Sequence, residues 1–223
     1  CIRDRRCMYW GSISQKMADA FVRQHLLNPQ EFWTPLPLPS VAVNDPLFRN
    51  APENNWSGQC EGLTYQRAII ALERYGYEPL VTKLGRKLLD AIIRGGYVIT
   101  QQFDPFTGEP SRVGMVSHEV LSRDSDEPFQ DSYGPTLLAA LEYIAHIWGI
   151  ALVGDEVWFS LGSGLSYTYA QRFGDDVYEI KSDGRSGTIH KNRISVGSAP
   201  CGVRLVTNRD GKILRTVKIE EGV

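Results

Sequence analysis

The chain has 223 residues, 42% of them hydrophobic and 10% aromatic, which supplies enough apolar side chain for a buried core in one or two domains. Its 24 Lys and Arg stand against 26 Asp and Glu for a net charge of -2. The cations are scattered rather than clustered, which argues against a nucleic-acid or anionic-membrane partner.

No apolar run approaches the roughly 20 residues that a membrane-spanning helix requires, and the N-terminus has no apolar signal core. The opening residues CIRDRRCMYW lack an initiator Met and read like the interior of a domain, so a fragment of a longer protein is expected. Cys1, Cys7, Cys60 and Cys201 form no CxxC pair and have no paired His nearby. Metal-ligand spacing is therefore missing, free thiols are expected, and neither a metal nor a cofactor is implied.

In chain order, the first predicted element is a helix over Gln15–Leu27, with Met17, Phe21, Val22 and Leu26 on one face and Asn28-Pro29 as its stop. An ordered Pro-rich stretch follows, from Trp33 through LPLPSVAVNDPLF, and then an isolated Trp56 on the polar loop NNWSG. That loop opens a second helix, Leu63–Tyr75, with Ala68, Ile69, Leu72 and Tyr75 at helical spacing and Gly76 as its C-terminal stop. Pro79 starts a third helix, whose broad stripe of Leu80, Val81, Leu84, Leu88, Leu89, Ile92 and Ile93 closes at Gly95-Gly96. Val113–Gln130 is long, charged and aperiodic, and reads either as a lid or as a surface loop. Tyr133–Trp148 is a fourth helix, with Leu137, Leu138, Leu141, Ile144, Ala145 and Trp148 apolar.

From about Glu156 the period changes to that of strands: VWFSL, SYTYAQRF, DVYEIK, GTIHK and GVRLVT, separated by Gly, Asp and Ser turns. Asn208-Arg209-Asp210-Gly211 has the chemistry of a hairpin turn before KILRTVKIE. The order, helices then strands, predicts helical packing over 1–150 followed by a small antiparallel β region over 151–223.

Four segments in this order carry a specific resemblance: LPSVAVNDPLF, then NNWSG opening a helix that ends in ALERYGY, then QQFDPFTGEPS, then SYGPTLLAALEYI. Together they resemble the C-terminal part of six-hairpin, (α/α)6-barrel glycoside hydrolases of the mannosylglycerate-hydrolase-like, trehalase-like and processing-α-glucosidase-like group. The resemblance implies a mainly α chain, part of an (α/α)6 toroid, with the β region outside it. It also implies a carbohydrate substrate, α-linked glucosyl or mannosyl, and hydrolysis with inversion. The general acid of the family sits on an earlier hairpin with no matching motif here, so this chain by itself lacks it. The missing N-terminal part of the barrel is then the implied partner.

Glycoside hydrolysis needs an acid to protonate the leaving oxygen and a carboxylate to activate water or to attack. The family places its base three residues before the Asp or Asn of the aromatic-Asp/Asn-Pro-x-Thr-Gly loop, a position held here by Gln101. An amide orients water but does not take its proton. Glu109, Asp104 and Glu61 are the carboxylates that stand near, although Asp104 before Pro105 also reads as a turn former. An external nucleophile such as phosphate, or a binding module without catalysis, are the other readings of this glutamine. For the substrate, Trp56 offers a face on which a sugar stacks, or else anchors the loop to the core. Trp33 either lines the rim or pins the Pro-rich loop. Gln59, Glu61 and Tyr65 on the first turns of the second helix are the expected hydroxyl partners. His118 and Glu119 have no placed partner and carry no assignment.

Overall fold

The computed structural model describes residues 2–51, 57–111 and 133–221. By backbone contacts the chain divides into two compact units, Cys1–Tyr77 with Leu84–Ala140 and Glu78–Lys83 with Leu141–Val223.

The first unit opens with helix α1 (Ile2–Trp10) and helix α2 (Gln15–Phe21), the latter capped by the Ser14 hydroxyl, which accepts the Met17 backbone N–H. Helix α2 continues into one π-helical turn, Val22–Leu26, so the expected helical span is present. Its packing face is narrower than the apolar spacing predicts. Ala18, Phe21, Val22 and Leu26 are buried, whereas Met17 is exposed.

Helix α3 (Gly62–Glu73) and helix α4 (Glu78–Arg94) end by the same device. Tyr77 donates to the Leu72 carbonyl and Gly76 to that of Glu73; one helix later Tyr97 donates to Ile92 and Gly96 to Ile93. Each pair satisfies two carbonyls that the helix leaves open, and each needs a left-handed residue, with φ of +78° at Gly76 and at Gly96. Pro79 stands in the first turn of α4, where its missing N–H costs nothing. Buried Leu84 and Leu88 on its inner face each contribute about 1.5–3 kcal/mol of burial.

Two very short strands join motifs that are far apart in sequence. β1 (Cys60–Glu61) pairs antiparallel with β2 (Gln102–Phe103), Cys60 opposite Phe103 and Glu61 opposite Gln102. Isolated bridges extend this ladder on both sides, from Pro39 to Cys60 and from Phe103 to Pro110. Helix α5 (Gly134–Trp148) follows the region 112–132, which lies outside the described residues, and with it the Val113–Gln130 segment that reads as a lid or a surface loop. Its exposed apolar residues are those the sequence assigned to its stripe: Leu137, Leu138 and Leu141 are about half exposed, while Ala139, Tyr143 and Ile147 are buried.

Among its described residues, the second unit contains eight strands: β3 (Ile150–Val153), β4 (Glu156–Leu161), β5 (Ser166–Phe173), β6 (Asp176–Asp183), β7 (Ser186–Lys191), β8 (Ile194–Pro200), β9 (Val203–Asn208) and β10 (Ile213–Lys218). They form two antiparallel four-stranded sheets, β10-β9-β4-β3 and β5-β6-β7-β8. Ile150, Val157, Phe159, Leu161 and Leu205 from one sheet share a core with Tyr178, Ile180 and Ile189 from the other. Alternate residues of β4 and of β6 fill that core, the period-2 rule of a two-layer β structure. The β9–β10 connection is the expected hairpin, with Gly211 at φ +90° and Asn208 accepting the Lys212 N–H.

This architecture corrects the expected fold class. The described residues are about a third helical and close to a third strand, so the chain is not mainly α and does not form part of an (α/α)6 toroid. The reason is physical. Helical periodicity shows that a segment buries one face, but says nothing of how many hairpins complete a ring, and eight strands with two inner faces build a core of their own rather than a small tail.

Candidate functional site

The ladder of Pro39, Cys60, Phe103 and Pro110 lays three of the sequence motifs side by side. Ser40 donates its backbone N–H to the Gln59 carbonyl, Gly62 to that of Gln101, and Ser111 to that of Gln102. Backbone pairing, more than any one side chain, therefore holds this site together.

Side chains tie the same strands through a polar chain. Ser111 Oγ donates to Gln59 Oε1, Gln59 Nε2 donates to Asn50 Oδ1 at 3.1 Å, and Asn50 Nδ2 donates to Asp104 Oδ2 at 2.6 Å. Beneath it, Thr100 Oγ1 donates to the Ser111 carbonyl and Thr136 Oγ1 to that of Thr100, both at 2.7 Å. Gln59, Thr100, Ser111 and Thr136 are buried, so these bonds replace water that the interior excludes.

Asp104 builds the turn. Its Oδ1 accepts the backbone N–H of Phe106 at 2.7 Å and of Thr107 at 3.0 Å, while its own N–H and C=O meet the Glu109 carbonyl and the Gly108 N–H. Partial burial opposes ionisation of this carboxyl, but the bonds from Asn50, Thr107 and Phe106 outweigh it and hold Asp104 below its ordinary value. Glu109 is exposed on the far limb of the turn, its backbone N–H held by Thr107 Oγ1.

Glu61 differs from both. It is completely buried, and although it occupies the N-cap position of α3, its side chain caps nothing. Its Oε2 faces Gln101 Nε2 at 3.5 Å, and its Oε1 has no hydrogen-bond partner among the described residues. Burial lifts its pKa from 4.5 to about 7, with the Gln101 amide only partly opposing. Gln101 is itself 3% exposed.

Of the other expected partners, Tyr65 is fully buried and donates its hydroxyl to the Pro37 carbonyl, which Cys60 Sγ also approaches at 3.2 Å. Trp33 is half-buried, its backbone N–H on the Asn28 carbonyl. Trp56 lies outside the described residues. Cys7, Cys60 and Cys201 are thiols rather than halves of a disulfide. The structure thus brings together Glu61 on β1, Gln59 just before it, and Gln101 and Asp104 at the two ends of β2, with Glu109 at the rim of the turn. Asn50 and Ser111 went unnoticed in the sequence, where neither belongs to a periodic segment; Ser111 ends a quoted motif, the one signal for it.

A family model described as the mannosylglycerate hydrolase MGH1-like glycoside hydrolase domain matches residues 6–124. Among solved structures, the GH63 mannosylglycerate hydrolase from Thermus thermophilus in complex with glucose is similar, with 22% identity and a TM-score of 0.44, over 61% of this chain and 28% of that one. The same hydrolase in complex with Tris and D-glycerate gives 21% identity and a TM-score of 0.41, over 61% and 27%. An uncharacterized conserved protein from the same organism gives 22% and 0.43, over 61% and 28%. The chain spans less than a third of the length of these structures. No curated protein matches.

Proposed function

The chain belongs to the mannosylglycerate hydrolase MGH1-like glycoside hydrolase family, and from that premise we propose that it serves the hydrolysis of α-linked glucosyl or mannosyl compounds with inversion. The observation that carries this reading is the β1–β2 pair. It sets Gln101, the position the resemblance would give to a base, against the carboxyl of Glu61, within the matched residues and close to the Asp104 turn. Such hydrolysis runs by general acid and base: one carboxylic acid protonates the leaving oxygen while a carboxylate draws a proton from the attacking water. In this reading Trp56 and Trp33 supply aromatic surface for the sugar, and Gln59, Tyr65 and Asp104 hold the frame around it. The carbohydrate is the partner, and the remaining length of the protein supplies the acid.

The glutamine at 101 also favours a second reading, a carbohydrate-binding module without turnover, and a phosphorylase on the same scaffold would need no protein base. Incubating the full-length protein with α-mannosylglycerate and a panel of α-glucosides and α-mannosides, with and without inorganic phosphate, separates the three. Free sugar without phosphate supports the hydrolase; a sugar phosphate supports the phosphorylase; binding without turnover supports the module.

A further inference from the structure

Three carboxyl groups stand close to the loop that carries Gln101, and the structure treats them differently. Both oxygens of Asp104 are engaged, Oδ1 by two backbone N–H groups and Oδ2 by Asn50. Three of its roughly four acceptor sites already shape the turn, and those bonds hold the carboxyl below its ordinary value, which makes it a weak base. Glu109 is exposed, on a limb whose backbone bonds to Thr107 and Asp104. Glu61 is buried, with Oε2 set against the Gln101 amide and Oε1 without a partner among the described residues.

A buried acceptor left open is costly and calls for an explanation such as a catalytic role or a bound water. A capping role does not explain it, because the N-cap side chain makes no bond to the helix. A salt bridge does not explain it either: the causes of its shift are burial and the Gln101 amide, with no ionised neighbour among them. The lateral step between the two residues is small. Glu61 lies opposite Gln102, the residue next to Gln101 on the paired strand, and Gly62 is hydrogen-bonded to the Gln101 carbonyl.

We propose that Glu61 is the general base of this site, with Gln101 as a positioning residue that orients Glu61. The assignment rests on the glycosidase reading above. In the step, a water donates one proton to Glu61 Oε1 as its oxygen bonds to the anomeric carbon. The glycosidic C–O bond breaks, and the leaving oxygen takes a proton from a second carboxylic acid. The net change is hydrolysis, with no redox step. Because burial holds Glu61 near 7, the carboxylate form grows as pH rises through that value, and kcat/KM rises with it.

The test uses the full-length protein and the α-glycoside it turns over fastest. Glu61→Gln is expected to lower kcat/KM by about 10²–10⁴-fold and to remove the acid limb of the pH profile near 7, and the double change Glu61→Gln with Gln101→Glu to restore at least about tenfold. Circular dichroism at pH 5, where a protonated Glu and a Gln are nearly isosteric, checks that the variant folds. If it does not fold, the wild-type profile decides alone: an acid limb near 7 supports the assignment and one below about 5 overturns it. Activity of Glu61→Gln within about threefold of wild type, or an equal loss in Glu109→Gln with Glu61→Gln intact, overturns the assignment and leaves the glycosidase reading standing. A wild-type protein that hydrolyses no α-glycoside overturns both.

Discussion

Gln101 Nε2, just before β2, and Glu61 Oε2, on β1, lie 3.5 Å apart, both side chains shut away from solvent. The contact is at the outer limit of a hydrogen bond, so the amide orients the carboxyl more than it stabilises its charge. Glu61 therefore holds its proton to an unusually high pH, and consequences follow for both stability and chemistry.

Stability should fall as pH rises toward neutrality. The folded-state value of Glu61, about 7, lies above its ordinary 4.5, so the folded chain binds this proton more tightly than the unfolded chain does. The stabilisation is complete below about 4.5, declines between 4.5 and 7, and is lost above. Its full size is roughly 3 kcal/mol. Urea denaturation of wild type and Glu61→Gln at pH 4.5 and pH 8 checks this: the two midpoints should agree at the lower pH, and the variant should be the more stable at the higher.

Asp104 should behave as the keystone of its turn. Asp104→Ala removes the acceptor for Phe106, Thr107 and Asn50 together and is expected to cost about 2 kcal/mol or more. Asp104→Asn keeps an amide oxygen for the backbone N–H groups and should cost less than half as much. Chemical denaturation of the two variants at pH 7 measures the difference.

Gly62 stands where helix α3 meets the start of α5. A Cβ at this position would overlap Thr136 Oγ1 and lie 2.7 Å from the Thr136 Cα, a backbone atom that cannot turn aside. Gly62→Ala is expected to destabilise by about 1–3 kcal/mol and to disturb the Thr136–Thr100 bond beneath the site. A fall in thermal midpoint, with changed backbone resonances at Thr100 and Ser111, is the expected readout.

How far these features were legible depends on the range of the forces involved. The ends of α3 and α4 were readable because Gly76, Gly96 and Pro79 act locally, and the β9–β10 hairpin because Asp210-Gly211 does too. The β1–β2 pair was not readable, since two residues cannot display a period of two and the partners lie about 40 positions apart. With that pair went the orientation of Glu61, which the sequence offered only as one of three carboxylates near position 101. The apolar residues of α5 were legible as apolar but not by the side they face: Leu137, Leu138 and Leu141 lie away from buried Tyr143 and Ile147. The toroid failed as an expectation for a related reason: four motifs identify a family locally, but ring closure is a property of the whole packing.

In the second unit, Arg204 is nearly fully buried, its Nε on Ser160 Oγ at 2.9 Å, an Nη on the His146 carbonyl at 3.1 Å, and its guanidinium 4.6 Å from the Trp158 ring centre. Planarity lets one group serve all three at once. Arg204→Lys should therefore be far from conservative, costing about 2–4 kcal/mol, whereas Lys212→Arg on the exposed turn should be neutral within about 0.5 kcal/mol. Thermal unfolding followed by near-ultraviolet circular dichroism, to which Trp158 contributes, tests the contrast.

The central claim is hydrolysis of an α-linked sugar with inversion, and the most direct measurement is proton NMR of the first sugar released from α-mannosylglycerate by the full-length protein. The β anomer appearing first, in phosphate-free buffer and ahead of mutarotation, is the predicted result. Release of the α anomer first, or no release in the absence of phosphate, would contradict it.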